Sequence, residues 1–396
     1  MSLSRLPLSY CTNVHPGRTV AEVEGGLDRY TAPISRALGQ PLAAGLWLAQ
    51  PVIEELLAMV DGVGQFAAGL QRRGLSCHTL NAFPFGDFHS DRVKEQVYLP
   101  DWAAPARLLY TEQCADVLVA LLPSGGEGSI STLPLGFKGF KHDADFLEVA
   151  AARLIDCARH LRQLRDATGK LIRLAIEPEP YCILETTAEA IAFFQLLWQR
   201  AERDGAAEMV RTHLGLCFDV CHQAVEFEDV GASIRALDRA GVRINKVHVS
   251  CALQLDDPIG NSEGRAALRR YVEPRYLHQT LARTVDGGMA RAVDLTEALI
   301  ADPPADFRAA AAWRIHFHVP VDAERLGPLG TTRPALAEAL AAVAALGYAP
   351  HLEVETYTWE VLPGAEAADI VTGLTRELRA AYQLIANAGN ATITSV

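Results

Sequence analysis

The residues best suited to chemistry stand at the ends of short apolar segments. LAIEP ends near Glu177, LCFDVCH carries Asp219 and His222, KVHVS carries His248, and LEVET carries Glu353 and Glu355. Side chains alternate faces along a strand. Ile172, Leu174 and Ile176 therefore share one face, and Arg173, Ala175 and Glu177 the other. Leu214, Leu216 and Phe218 likewise oppose His213, Gly215, Cys217 and Asp219, while Leu352 and Val354 oppose His351, Glu353 and Glu355. Two glutamates, an aspartate and a histidine brought to one point make a mixed oxygen and nitrogen site. Such a site suits Mn²⁺, Zn²⁺, Co²⁺ or Mg²⁺ better than a thiolate-seeking metal. A divalent ion held there polarises a carbonyl and acidifies a neighbouring C–H or water, and the flanking carboxylates can move the proton. A single histidine or acid at a strand end is more often a structural partner or cap. The succession Glu, Asp-x-x-His, His, Glu is the specific signal.

Positioning these groups requires regular elements. Strand-like segments near 8–13, 42–48, 75–81, 128–134, 171–177, 213–219, 244–250 and 350–356 alternate with helical patterns at 18–38, 51–73, 105–121, 143–167, 187–203, 229–240, 334–346 and 366–386. Pro51 and Pro105 suit first helical turns, and Gly74, Gly169, Gly241 and Gly347 suit helix ends. Eight strands alternating with eight helices predict an α/β fold, a (β/α)8 TIM barrel, with residues 1–396 as one domain. Acidic and histidine strand ends, and a GGEG turn at 125–128, do not resemble a phosphate-binding glycine loop.

Two stretches exceed the barrel plan. Residues 82–104 read as an active-site loop rich in Phe, Pro and charge. Residues 252–312 read as an insertion over the barrel mouth, with a β-hairpin around Asp286-Gly287-Gly288 before the last strand. WRIHFHVPV follows as a further strand candidate with Arg314, His316 and His318 on one face. Long ordered loops on the catalytic side of a barrel carry substrate contacts or lids.

Bulk properties exclude several functions. The chain has 396 residues, 49% of them apolar, enough for a substantial core. A net charge of −12 without a basic run argues against a nucleic-acid partner. Eight cysteines without a CxxC pair predict neither a zinc ribbon nor a disulfide framework, and Cys217 and Cys221 read as space fillers. Reduced thiols and an N-terminus unlike a signal peptide predict a cytoplasmic protein, and no stretch reaches the roughly 20 apolar residues of a membrane span.

The EP of LAIEPEP, the DVCH motif, the His of KVHVS and the terminal glutamate resemble the xylose-isomerase-like TIM barrels. That group includes sugar isomerases, ketose 3-epimerases, hydroxypyruvate isomerase and endonuclease IV. The resemblance implies a metal held by Glu177, Asp219, His248 and Glu355, with His222 facing substrate. LNAFPFGDFHSDR resembles the loop after the third strand of hydroxypyruvate isomerase-type proteins, which implies Asn81 and His89 near the site; Lys94 is expected to be solvated. SYCTNVHPG, RVKEQVY, GSISTLPLGFK, FDVCHQAVEFED, EPRYLHQ, IHFHVP and HLEVETYTW resemble the EboE family, the xylose-isomerase-like members of the bacterial Ebo metabolite-traffic operon. That resemblance implies a soluble protein handling a small-molecule metabolite beside other Ebo-operon proteins, and names no reaction.

One departure leaves two alternatives open. The insertion after KVHVS lets His318 replace His248 as ligand, or join it in a second metal site. Glu355 lies nearer the strand end than Glu353, whose other role is to pair with Arg173 or Lys246; Glu179 is expected as a loop acid. The resulting expectation is a metal-dependent isomerase or epimerase acting through an enediolate on a small hydroxycarbonyl or sugar-like metabolite. Glu177 and Glu355 serve as ligands and acid/base pair, and Asn81, His89, His222, His316, His318 and Glu353 flank substrate. A non-catalytic metabolite carrier on the same barrel is the alternative. A metal-dependent phosphodiesterase, drawing on His15, His89, His316 and His318, is the third reading.

Overall fold

Period-two segments bounded by glycine, proline and acidic turns form the strands of the computed structural model, which describes residues 3–4, 6–364 and 369–393. Seven strands come first: β1 (Leu8–Cys11), β2 (Leu42–Trp47), β3 (Ser76–Asn81), β4 (Glu127–Thr132), β5 (Leu171–Ile176), β6 (Leu214–Asp219) and β7 (Ile244–Val249). Six short strands follow: β8 (Ala252–Asp256), β9 (Thr280–Thr284), β10 (Met289–Ala292), β11 (Ala310–His318), β12 (Arg325–Leu326) and β13 (Leu329–Thr331). The last strand is β14 (His351–Val354). Strands β1 to β7 and β14 close into a parallel barrel in the order β1-β14-β7-β6-β5-β4-β3-β2. The expected (β/α)8 barrel is the observed architecture, and each barrel strand lies within about three residues of its predicted place.

The helices that cover the barrel begin and end where their sequence permits. Thr186 and Glu189 form a reciprocal capping box before Thr187–Arg203. Pro105 occupies the first turn of Pro105–Leu121, where no intrahelical N–H is needed. Gly169 ends Phe146–Thr168 in the left-handed region at φ +70°, which costs glycine nothing. Outward-facing Ile172, Leu174, Ile176, Phe218 and Val247 are each 2% exposed or less. Burial of such side chains contributes about 1.5–3 kcal/mol apiece, and this outer layer holds the polar interior in place.

Some segments differ from expectation. The helix predicted over 51–73 is two, Gln50–Ala58 and Gly62–Arg72, because Met59 is extended and Asp61 is left-handed at the break. The predicted 18–38 helix changes to a wider π turn at Leu27–Thr31, after Gly25 and Gly26. The C-terminal helix runs Ile370–Ile393, and the part of its prediction at 366–368 lies outside the described residues. The stretch after β7 builds more than a hairpin. Strands β9 and β10 do pair around the predicted turn, but they join an antiparallel six-stranded sheet ordered β10-β9-β11-β8-β13-β12. IHFHVP belongs to this second sheet and not to the barrel wall.

Candidate active site

Strand register brings the chemistry to one end of the barrel. Asp219 of β6 lies level with His248 of β7, and His248 level with Glu353 of β14. Glu177 follows the last residue of β5, and Glu355 lies two residues beyond Glu353. Ligand atoms of Glu177, Asp219, His248 and Glu355 all fall within 4.8 Å of one another. His248 Nδ1 is their centre, 3.1 Å from Glu177 Oε1, 3.2 Å from Asp219 Oδ2 and 3.2 Å from Glu355 Oε2. His248 thus joins the three carboxylates and His318 does not; among the two last-strand glutamates, Glu355 is the one that reaches them.

Each member is oriented by its element. Asp219 ends β6 and N-caps the short helix Val220–Val225, its Oδ1 accepting from the His222 amide at 3.0 Å and from Ser250 Oγ at 2.9 Å. DVCH is therefore a cap and the first turn of a helix too short for its period to show in the sequence. Oδ2 remains for the centre. Glu355 Oε1 accepts from both Asn13 Nδ2 and Asn81 Nδ2 at 2.9 Å, leaving Oε2 inward. Glu177 Oε2 is buried and has no hydrogen-bond partner. Behind the group, Lys246 Nζ lies 2.6 Å from Glu353 Oε1, with both side chains fully buried, and that oxygen is 3.4 Å from His248 Nε2. Glu353 is thus the partner of Lys246, while Arg173 pairs with Glu127 at 2.8 Å.

The electrostatics are those of a cation site. Burial opposes charge on His248, but Cys217, Glu177 and Glu355 outweigh it and push its imidazole well above the usual range. Burial likewise opposes ionisation of Asp219, yet His222, His318 and His248 hold its carboxyl well below the usual carboxylate range. Glu355 is lowered by His248 against the same burial. Glu353 is brought to about 2, since the Lys246 charge overcomes desolvation. Three converging carboxylates, a histidine nitrogen and an orphaned buried carboxylate oxygen fit a divalent ion of the kind expected. Cys217 also lies within reach of Glu177 and His248, and burial pushes its thiol up to about 12.

Three histidines border the group. His222 Nδ1–H donates to the Pro178 carbonyl at 2.9 Å, His318 Nδ1–H to the Glu355 carbonyl at 2.8 Å, and His316 Nδ1 meets Gln279 Oε1 at 2.7 Å. Their Nε2 atoms are left to one another and to Asp219; those of His316 and His318 are 3.2 Å apart. Asp219, His222 and His318 also satisfy the spacing of a metal site.

A cavity of about 490 Å³, part of it open to solvent, stands on this floor. Asn81, His222 and His316, expected as substrate contacts, line it together with Glu177 and Glu355. His89, His318 and Glu353 do not. The His89 ring packs outside, against Trp47 and Phe88 with centroids 5.6 and 5.8 Å away, His318 lies behind Glu355, and Glu353 is one layer down. His15, stacked on Tyr30 at 4.2 Å, lines a different cleft. Lys94 is buried rather than solvated and does line the cavity. Glu179 does lie in the loop after β5, as expected, but it is buried, accepts from Tyr98 Oη at 2.6 Å, and is raised to about 7 by burial. Asn13, Tyr98 and Gln279 are the members that strand-end reasoning missed, although each stands in a motif of the EboE resemblance, SYCTNVHPG, RVKEQVY and EPRYLHQ; EPEP was the visible signal for Glu179.

No protein-family model matches the chain, and no curated protein matches it. Solved structures do. A structure of L-ribulose 3-epimerase aligns with 99% of this chain and 98% of its own at 15% identity and a TM-score of 0.53. The IolI protein with a bound zinc atom aligns over 97% and 99% at 12% identity and 0.51. A xylose isomerase-like TIM barrel protein from Mycobacterium smegmatis in complex with magnesium aligns over 98% and 99% at 14% identity and 0.52. The closed parallel barrel and these likenesses together show that this chain has the xylose-isomerase-like TIM-barrel fold.

Proposed function

We propose that this protein is a metal-dependent isomerase or epimerase acting on a small hydroxycarbonyl or sugar-like metabolite. The observation that carries the reading is the meeting of two glutamates that line one cavity, Glu177 and Glu355, with Asp219 and His248 just beneath it. Zinc in the IolI protein and magnesium in the mycobacterial protein support a divalent ion held by these four residues. When bound, that ion supplies polarisation of adjacent substrate oxygens and a more acidic C–H between them. Glu177 Oε2, buried and unpartnered, is the oxygen free to take that proton and return it to an enediolate. Glu355 is the second carboxylate of the pair, fixed by two amide donors and lowered by His248 against burial. His222 and Glu179 face the same space and orient hydroxyl groups. The apolar walls of the cavity limit water at the reacting carbon.

The motifs shared with the EboE family support a finer reading, a cytoplasmic protein working beside other Ebo-operon proteins on a metabolite in transit. Glu177→Gln tests catalysis directly. The amide keeps the shape and removes the basic oxygen. Exchange of a substrate C–H with deuterated water should fall on the order of 10²–10⁴-fold, with the fold intact by circular dichroism. Tight metabolite binding by metal-loaded wild type with no exchange in any bound compound would instead establish a carrier.

A further inference from the structure

The cavity is strongly two-sided. Its floor is acidic and polar. Its walls are apolar and come from three separate segments: Phe83, Phe88 and Val97 from the loop after β3, Tyr276 and Leu277 from the stretch before β9, and Tyr357 after β14. Phe88, Tyr276 and Tyr357 form a ring cluster with centroids 4.9, 5.4 and 5.0 Å apart. The C–H face of a sugar can stack on one ring of this cluster, but its hydroxyl groups gain nothing from the rest of a wall built from three segments.

The charges point the same way. Among the described residues no arginine lines the cavity, and the lysine that does is not available. An ammonium has three N–H donors. Those of Lys94 go to Asp294 Oδ2 at 2.6 Å, the Tyr276 carbonyl at 2.6 Å and the Glu273 carbonyl at 3.1 Å. A phosphate or carboxylate substituent would meet no arginine and no free lysine; His222, the lining histidine whose imidazole is raised, is already set among Asp219, Glu179 and Glu177, and the substituent would face Glu177, Glu179 and Glu355. A divalent ion on the floor does not reverse this, because three carboxylates already surround its place.

We propose that the ligand of this site is an uncharged polyol or hydroxycarbonyl compound bearing an apolar substituent, and that phosphate esters are excluded. The proposal rests on the isomerase reading for its polar end alone. Its test is calorimetric titration of the full-length, Mn²⁺-loaded protein with three probes: a ketohexose, its butyl ether and its phosphate ester. Burial of a methylene is worth about fourfold in affinity. After the loss of chain freedom, the ether should bind about tenfold tighter than the parent, and the ester more weakly than the parent. Leu277→Lys should place an ammonium on the wall, tighten the ester about tenfold and weaken the ether. Val97→Lys makes the same test from the opposite segment should the first variant unfold. Wild type preferring the ester, equal affinity for all three probes, or no binding of the ether up to its solubility would overturn the proposal. C–H exchange followed in the same samples separates the two readings. Preferential binding of the ether without exchange refutes the isomerase and leaves the ligand class standing. Exchange on a well-bound phosphate ester refutes the ligand class and leaves the isomerase standing.

Discussion

Asp219 has more tasks than any other residue of the site. One carboxylate oxygen caps a helix and accepts from Ser250; the other faces His248. Asp219→Ala should abolish retention of a divalent ion, measured by elemental analysis after dialysis, and full occupancy in that variant would refute the assignment. Cys217→Ala should leave metal content unchanged. A subtler dependence lies behind His248. Lys246 and Glu353 are paired in a layer with no exposure, and Gly45 leaves room for that carboxylate, since a Cβ there would sit 1.6 Å from Glu353 Oε2. Removing one partner of such a pair costs about 3–5 kcal/mol. Lys246→Met should therefore destabilise by that order in urea unfolding, and lower metal affinity roughly 10–100-fold through the loss of His248 orientation. The pairing of Lys246→Met with Glu353→Met should recover stability without recovering affinity; full recovery of affinity would exclude the positioning role. Strand parity and strand ends made Glu177, Asp219, His248 and Glu355 legible as candidates, but left His318 and Glu353 as rivals that only the packing separates from them. Asn13, Tyr98 and Gln279 were not legible in this way, because they reach the site along loop paths that no period in the sequence encodes.

At the scale of elements, the segments above the cavity are tied to one another by few, strong links. Backbone amides of Val93 and Lys94 donate to the Arg275 carbonyl at 2.8 and 2.7 Å, joining the loop after β3 to the segment before β9. Arg291 of β10 pairs with Glu226 at 2.8 Å and with Glu185, joining the hairpin to loops that follow β5 and β6. Glu226 is buried and raised to about 8, with desolvation outweighing the Arg291 charge. Arg291→Met should release the hairpin. Hydrogen exchange at 280–292 should quicken about tenfold or more, while β5, β6 and β7 stay protected. Unchanged exchange in the hairpin would show that β9–β11 pairing alone fixes it. The hairpin itself was readable from Asp286-Gly287-Gly288, whose tight turn is local chemistry. The six-stranded sheet was not, because β8, β11 and β13 pair across long stretches of sequence. The helix opening at Val220 escaped for the opposite reason: six residues are too few to show a helical period.

The whole molecule stores opposed titrations, and their signs predict where the metal-free chain is most stable. Glu179 and Glu377 are raised to about 7, both through burial. Glu377 is held between Thr356, Trp359 and the Val321 amide, so it couples the C-terminal helix to the turn after β14. His222 is also raised, by Asp219, Glu179 and Glu177, and His248 by Cys217, Glu177 and Glu355, in both cases against burial. A raised folded-state pKa favours the fold below the unfolded value and loses that contribution as pH rises through the folded one. These four groups therefore weaken the fold as pH climbs from about 4.5 through 7 for the acids, and from about 6.5 upward for the histidines. His15, lowered to about 3 by burial, and Asp219 and Glu353, lowered by neighbouring cations against burial, act oppositely. Their contribution is complete above the unfolded values and is lost as pH falls, from about 6.5 for His15 and about 4 for the acids. Glu226, raised to about 8, joins the first set, and His78, His316 and His351, lowered by burial, join His15; between about pH 4.5 and 6.5 these opposed slopes nearly cancel, so stability is greatest across that interval and falls on either side. Urea midpoints measured from pH 4 to 8 in chelator should peak in that window. Added Mn²⁺ or Zn²⁺ should flatten the alkaline limb, because a cation among the carboxylates takes over what the His248 proton supplies and competes best once that proton has left. A metal-free chain at its most stable at pH 8, or a metal that stabilises equally at pH 5 and pH 8, would contradict the charge balance read from the barrel floor.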